Sequence, residues 1–214
     1  MKRNTKLKIC GIRSIEEILE LQELDIDYFG CIFARSPRQI NTELAYNITK
    51  TVHKKGKKTV GVFVDESIDN IMHISEKTGI DRVQLHGSES PAYCSELMER
   101  LKKSFNIFNR EIKIWKAFSV KDKLPYIKAY LPYIEYPLFD AKGENKGGNG
   151  ITFDWSILKG ISNHDFILAG GLSTENILEA LKYNPVILDV NSKVEINGRK
   201  DKNLIKEIIR IIKY

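Results

Sequence analysis

Eight short apolar runs recur along this chain at spacings of about two dozen residues, each followed by an amphipathic stretch. Seven of them end, on the C-terminal side, in a residue able to do chemistry or to hold an anion. Leu7-Lys8-Ile9 leads into Cys10-Gly11, Tyr28 to Phe33 into Arg35-Ser36-Pro37-Arg38, and Val60 to Val64 into Asp65. Val83-Gln84-Leu85 leads into His86-Gly87, Ile134 to Phe139 into Asp140, Phe166 to Ala169 into Gly170-Gly171, and Val186 to Leu188 into Asp189. The run from Ile112 to Ala117 offers only Lys116. Strands that are apolar on both faces belong to a covered parallel sheet. Eight strand–helix units without polar edge strands predict a closed α/β architecture, a (β/α)8 barrel. In such a barrel every strand's C-terminal end opens on one rim, so a single pattern predicts both the fold and the location of the site.

At 214 residues and 42% hydrophobic composition the chain has the material for one domain spanning 1–214, with short loops. Helices are expected to begin near Ser14, Thr42, Ser67, Pro91, Ser119, Asp154, Ser173 and Asp201, several of them marked by a capping side chain and acid in the first turn. The longest irregular segment, Ala141 to Thr152, is rich in glycine and charge and reads as a functional loop.

The net charge of +6 suits an anionic partner without choosing among phosphate ester, carboxylate, nucleic acid and acidic lipid. The basic residues are scattered, and Lys54-Lys55-Gly56-Lys57-Lys58 reads as a solvated turn rather than a nucleic-acid patch. Three cysteines without paired or metal-type spacing point to a reducing compartment, and no run approaches a membrane span. The expectation is a cytoplasmic protein, monomer or homodimer, with neither membrane nor nucleic-acid partner.

Gly170-Gly171-Leu172-Ser173 and Asp189-Val190-Asn191-Ser192 follow the seventh and eighth runs, where barrels of this kind hold phosphate on backbone N–H groups. A plain tight turn accounts for the glycine pair taken alone; the two segments together favour phosphate. No dinucleotide fingerprint is present, so a phosphosugar is preferred to a nicotinamide cofactor. Cys10 is either a packing residue or a rim nucleophile or base, and the second role requires a cation to lower its pKa from ~8.5. Lys8 reads as pointing to the wrong face or depth for that. Asp140, between Phe139 and Ala141, is either a loop brace or a neutral acid kept protonated by an apolar surround. A thiol and a carboxyl on one rim suit proton shuttling better than hydrolysis. His86, with Gln84, either binds substrate or braces the rim. Arg38 offers a fork matched to a carboxylate, on a loop fixed by Ser36-Pro37. Asp65 reads as structural, and Trp115 and Trp155 as packing residues.

From Lys8 to about Asp201 the chain resembles the phosphoribosylanthranilate isomerases. The resemblance rests on Lys8-Ile9-Cys10-Gly11-Ile12, Ser36-Pro37-Arg38, Val60-Gly61-Val62-Phe63-Val64-Asp65 and Val83-Gln84-Leu85-His86-Gly87. It continues through Asp140, Gly147-Gly148-Asn149-Gly150, Phe153-Asp154-Trp155, Ala169-Gly170-Gly171-Leu172 and Asp189-Val190-Asn191-Ser192-Lys193-Val194-Glu195. It implies a TIM barrel, a small phosphosugar substrate, and an Amadori rearrangement needing neither metal nor redox cofactor. By position it implies Cys10 as general base and Asp140 as general acid. Arg38 falls on the residue for the anthranilate carboxylate, Gly170, Gly171, Asn191 and Ser192 on the phosphate cradle, and Asp189 beside the sugar. The chain departs from the family at Lys193, where glycine is usual, and at Asn149, where threonine or serine is. Two rivals remain in view: another phosphosugar barrel, disfavoured by Cys10, and a non-catalytic anion-binding barrel that would need no paired thiol and acid.

Overall fold

The computed structural model describes residues 5–104, 111–141, 152–161 and 164–213. Eight strands close into a barrel in chain order, every neighbouring pair parallel. They are β1 (Lys6–Cys10), β2 (Tyr28–Ile32), β3 (Lys58–Phe63), β4 (Arg82–Leu85), β5 (Lys113–Val120), β6 (Tyr136–Ala141), β7 (Ile167–Leu168) and β8 (Ile187–Val190). Closure is made by β1 against β8, with Lys8 opposite Asp189. Beyond β8 a small antiparallel hairpin forms from β9 (Glu195–Ile196) and β10 (Arg199–Lys200).

Alternation along each strand sorts the side chains into two layers. Tyr28, Val60, Trp115, Leu138, Ile167 and Ile187 point inward and fill the lower barrel as one cluster. The opposite faces pack against α1 (Ile15–Leu21), α2 (Thr42–His53), α3 (Ile68–Thr78), α4 (Pro91–Lys103), α5 (Ile177–Leu181) and α6 (Lys202–Lys213). Helix starts follow capping chemistry. Ser14, Asn41, Ser67 and Ser90 accept from the backbone of the first turn, Pro91 occupies that turn in α4, and Asp201 accepts from Asn203 and Leu204.

Three expected helix starts are corrected. Near Ser119 the chain stays extended, because β5 pairs with β6 as far as Val120 opposite Ala141. The connection then carries Pro125 and Pro132, which lack the backbone donor a helix needs, and forms only a 3-10 turn at Leu131–Tyr133. After Asp154 the segment Trp155–Ile161 is 3-10 rather than α, and its Gly160 lies where a Cβ would stand 2.8 Å from Leu124. Near Ser173 the side chain of Asn176 folds back to accept from Ser173 N and donate to Gly171 O. That turn delays α5 to Ile177. Trp115 and Trp155 are both buried, as packing residues should be. No described helix is long and apolar enough to cross a membrane.

Candidate active site

A cavity of about 640 Å³ opens at the C-terminal rim of the barrel. Cys10, Arg38, His86, Asp140, Gly170, Gly171, Asp189, Asn191 and Ser192 all line it. Every site residue singled out from the sequence is thus brought to one place.

On β1, Lys8 and Cys10 stand two residues apart and so share the inward face. Lys8 is fully buried and its Nζ donates to Asp189 Oδ2 at 2.7 Å. The same ammonium is the charge that most favours the Cys10 thiolate. The expectation for Lys8 is therefore corrected: a spacing of two in a strand places residues on the same side, and Lys8 is the cation beneath the thiol. Burial still pushes the Cys10 thiol up, with Lys8 pulling against it. Burial likewise raises Asp189 against the pull of Lys8. For Lys8 burial opposes the charge, but Asp189 and Cys10 outweigh it and its pKa is raised. Asp189 Oδ1 is buried without a hydrogen-bond partner among the described residues. Room for the thiol comes from Gly30 on β2, since a Cβ there would stand 2.7 Å from Cys10 Sγ. Nothing in the sequence analysis singled out Gly30; the signal available was a glycine inside an otherwise apolar strand.

On the other side of the cavity, the His86 Nε2 lies 3.1 Å from Asp140 Oδ2, and Gln84 Nε2 lies 2.9 Å from His86 Nδ1. The surround of Asp140 is therefore polar on its cavity side, not apolar as expected, because Phe139 alternates outward into the helix layer. Both ring nitrogens of His86 are engaged by protein groups, which favours a bracing role over a substrate contact. Gly170 approaches β6 so closely that a Cβ would meet Ala141 N at 2.7 Å and Asp140 Oδ1 at 2.8 Å, and its φ of +87° is a further reason for glycine.

Arg38 is gripped by a residue the sequence analysis gave no role. Its Nε and Nη2 donate to Glu195 at 2.8 and 2.6 Å. Glu195 also accepts from Lys200 at 2.6 Å, and Lys200 in turn donates to the backbone and side-chain oxygens of Asn191. Burial pushes Glu195 up, but the hydrogen bonds from Arg38 and Lys200 outweigh it and leave the carboxyl below its ordinary value. The β9–β10 hairpin thus ties the arginine to the loop after β8. Lys193 lines the cavity within a 3-10 turn and has no positive φ, so replacing the family's glycine costs no backbone strain. The loop glycines 147, 148 and 150 and Asn149 lie outside the described residues. Asp65 braces the neighbouring loop through Ser88 N. No group of three or more His, Cys, Asp or Glu able to hold a metal exists among the described residues.

The family model for N-(5'-phosphoribosyl)anthranilate isomerase matches residues 7–211. The chain belongs to this isomerase family. A Campylobacter jejuni N-(5'-phosphoribosyl)anthranilate isomerase is 43% identical over 209 residues, covering 97% of this chain and 98% of that protein. One from Thermoanaerobacter pseudethanolicus is 38% identical with the same coverage. The crystal structure of the Thermotoga maritima phosphoribosylanthranilate isomerase superposes with a TM-score of 0.82 at 32% identity, covering 98% of each chain. A further isomerase structure holds reduced 1-(o-carboxyphenylamino)-1-deoxyribulose 5-phosphate; it matches at a TM-score of 0.79, 31% identity and 98% of each chain. Membership of this family removes the rival phosphosugar barrels.

Proposed function

We propose that this chain converts N-(5-phosphoribosyl)anthranilate to 1-(2-carboxyphenylamino)-1-deoxyribulose 5-phosphate in tryptophan biosynthesis, with Asp140 as general acid and Cys10 as general base. The observation that carries the assignment of roles is the placement of one buried thiol and one buried carboxyl on the same 640 Å³ cavity, each with its own polar support.

Asp140 gives a proton to the furanose ring oxygen as the bond from that oxygen to C1′ breaks. The anilino nitrogen's lone pair forms the C1′–N double bond of a protonated Schiff base. Cys10, as thiolate, takes the proton from C2′; the freed electron pair forms C1′=C2′ and the nitrogen becomes neutral. The resulting enolamine moves a proton from the C2′ hydroxyl to C1′ and becomes the ketone. Only protons move, so the proposal assigns no cofactor. Lys8 stabilises the thiolate form that burial disfavours.

Arg38 offers the anthranilate carboxylate the Nη1 side of its guanidinium, which has no partner among the described residues, while Glu195 holds the other side. Gly170, Gly171, Asn191 and Ser192 take the phosphate, with Lys193 adding charge, and Asp189 Oδ1 accepts from a sugar hydroxyl. The unpartnered, buried state of that oxygen supports this last assignment. The protein acts on this small phosphosugar in the cytoplasm as one barrel domain, monomer or homodimer.

The test is a fluorescence assay following loss of N-(5-phosphoribosyl)anthranilate with the purified chain alone. Cys10→Ala and Asp140→Asn are each expected to lower turnover by about 10²- to 10⁴-fold with unchanged circular dichroism. Near-full activity in either variant contradicts the roles assigned.

A further inference from the structure

We infer that Gln84 is a positioning residue for the acid step: its amide fixes the tautomer of His86, so that His86 holds one oxygen of Asp140 and leaves the other to carry the proton. This rests on Asp140 being the acid.

Gln84, the third residue of β4, and His86, one residue past its end, share the inward face two positions apart. Their contact at 2.9 Å is followed by the 3.1 Å contact from His86 to Asp140, so three side chains form one line across the cavity wall. A neutral imidazole has one N–H and one lone pair, and the partner at one nitrogen decides what the other can do. With the amide N–H of Gln84 directed at Nδ1, that nitrogen accepts and the ring proton sits on Nε2. His86 then donates to Asp140 Oδ2. This oxygen is occupied as an acceptor, and a proton on Asp140 resides on Oδ1.

Oδ1 lies on the side of the cavity lined by Gly170, 2.8 Å from where a Cβ on that residue would stand. Delivery of the Oδ1 proton to the substrate's ring oxygen leaves a carboxylate that still accepts the Nε2–H bond. No ring rotation and no proton movement within His86 are needed. The opposite amide orientation has the reverse consequence. The Gln84 oxygen would accept from Nδ1–H, Nε2 would become an acceptor, and the Asp140 proton would be drawn to Oδ2, away from the substrate.

The other end of the amide supplies the second observation. Gln84 is 1% exposed and its Oε1 is buried without a hydrogen-bond partner among the described residues. A glutamine kept only to stabilise the barrel would have both ends satisfied, since an unpaired buried oxygen is destabilising. Among the described residues, the one bond that the amide makes runs to His86.

Three readouts separate this role from a structural or a substrate-binding one. In ¹⁵N-labelled wild-type protein at neutral pH the His86 ring proton is expected on Nε2, with Nδ1 unprotonated; a proton on Nδ1 overturns the inference. Gln84→Met keeps length and bulk but neither donates nor accepts strongly. It is expected to lower kcat about tenfold or more while KM stays within about twofold. A wild-type kcat, or a raised KM with kcat intact, overturns the inference, the latter by making Gln84 a substrate contact. Gln84→Glu, in its ionised form above the pKa of the new carboxyl, can only accept, so Nδ1 becomes protonated. The ring either stops donating to Asp140 or, as imidazolium, keeps Asp140 ionised, and kcat falls by a similar factor. Unchanged Nδ1 and unchanged kcat in this variant overturn the inference as well. Melting temperatures report whether each variant folds. If Asp140→Asn is inactive while Gln84→Met turns over like wild type, the relay fails and the general acid stands; if Asp140→Asn is active, the underlying assignment fails instead.

Discussion

Of the three lysines buried among the described residues, two stand on barrel strands, each against one acid, on opposite sides of the strand wall. Lys116 points outward from β5 to Glu89 at 3.1 Å, and Lys8 points inward from β1 to Asp189 at 2.7 Å. The outer pair is closed. Lys116 also donates to Gly87 O and Ala117 O, and Glu89 accepts from the backbone of Asp65 and Gly87. The inner pair is open. Asp189 leaves one oxygen without a partner among the described residues, at the cavity, and Lys8 has a thiol beside it. Residue types and burial are nearly the same, so neither determines what a buried ion pair is for. The groups left unsatisfied around it do: the closed pair fixes two loops, and the open one leaves donors and acceptors for a substrate.

The comparison breaks if removing either lysine has the same consequence. Lys116→Met strands the Glu89 carboxylate among backbone donors behind the wall and is expected to destabilise by about 3–5 kcal/mol in urea unfolding. Its kcat/KM stays within about tenfold of wild type. Lys8→Met is expected to cost about a hundredfold in kcat, through the thiol, in the same assay that follows substrate loss. Its stability cost is of the same order, because Asp189 too is left buried without its cation, so the two variants are told apart by kcat.

A test of a different kind concerns a thiol without such a pair. Burial raises Cys31 from 9.0 to about 12, and Lys8 opposes this only weakly. Above pH 9 the unfolded chain loses this proton while the folded chain keeps it, so unfolding free energy falls as pH rises from 9 toward 12. The slope is up to about 1.4 kcal/mol per pH unit for one thiol. Unfolding curves of Cys31→Ala across that range should be correspondingly flatter; equal slopes would contradict the assignment.

The barrel was legible because eight apolar runs, seven of them ending in a residue able to do chemistry or to hold an anion, repeat one strand–loop instruction, and the site because the loops share a rim. Cys10, Asp140 and Arg38 could be singled out from their position at strand ends. Lys8 was misjudged although strand alternation alone places it under Cys10. Glu195 and Lys200 could not be read, since their reach to Arg38 and Asn191 depends on a hairpin formed after the barrel closes. The polar surround of Asp140 was hidden for a similar reason: its neighbours in sequence are apolar, and its neighbour in space comes from β4. The missing helix after β5 shows two prolines and a long strand pairing overriding a capping signal at Ser119.

The most direct test of the open pair is the pH dependence of Cys10 alkylation, followed by mass spectrometry of its peptide in wild type, Lys8→Met and Asp189→Asn. Lys8 favours the thiolate and Asp189 opposes it. The rise in reactivity with pH is therefore expected to move to higher pH in Lys8→Met and to lower pH in Asp189→Asn. Three superimposable curves would show that the pair does not act on the thiol, and the distinction between the inner and outer lysines would fall with it.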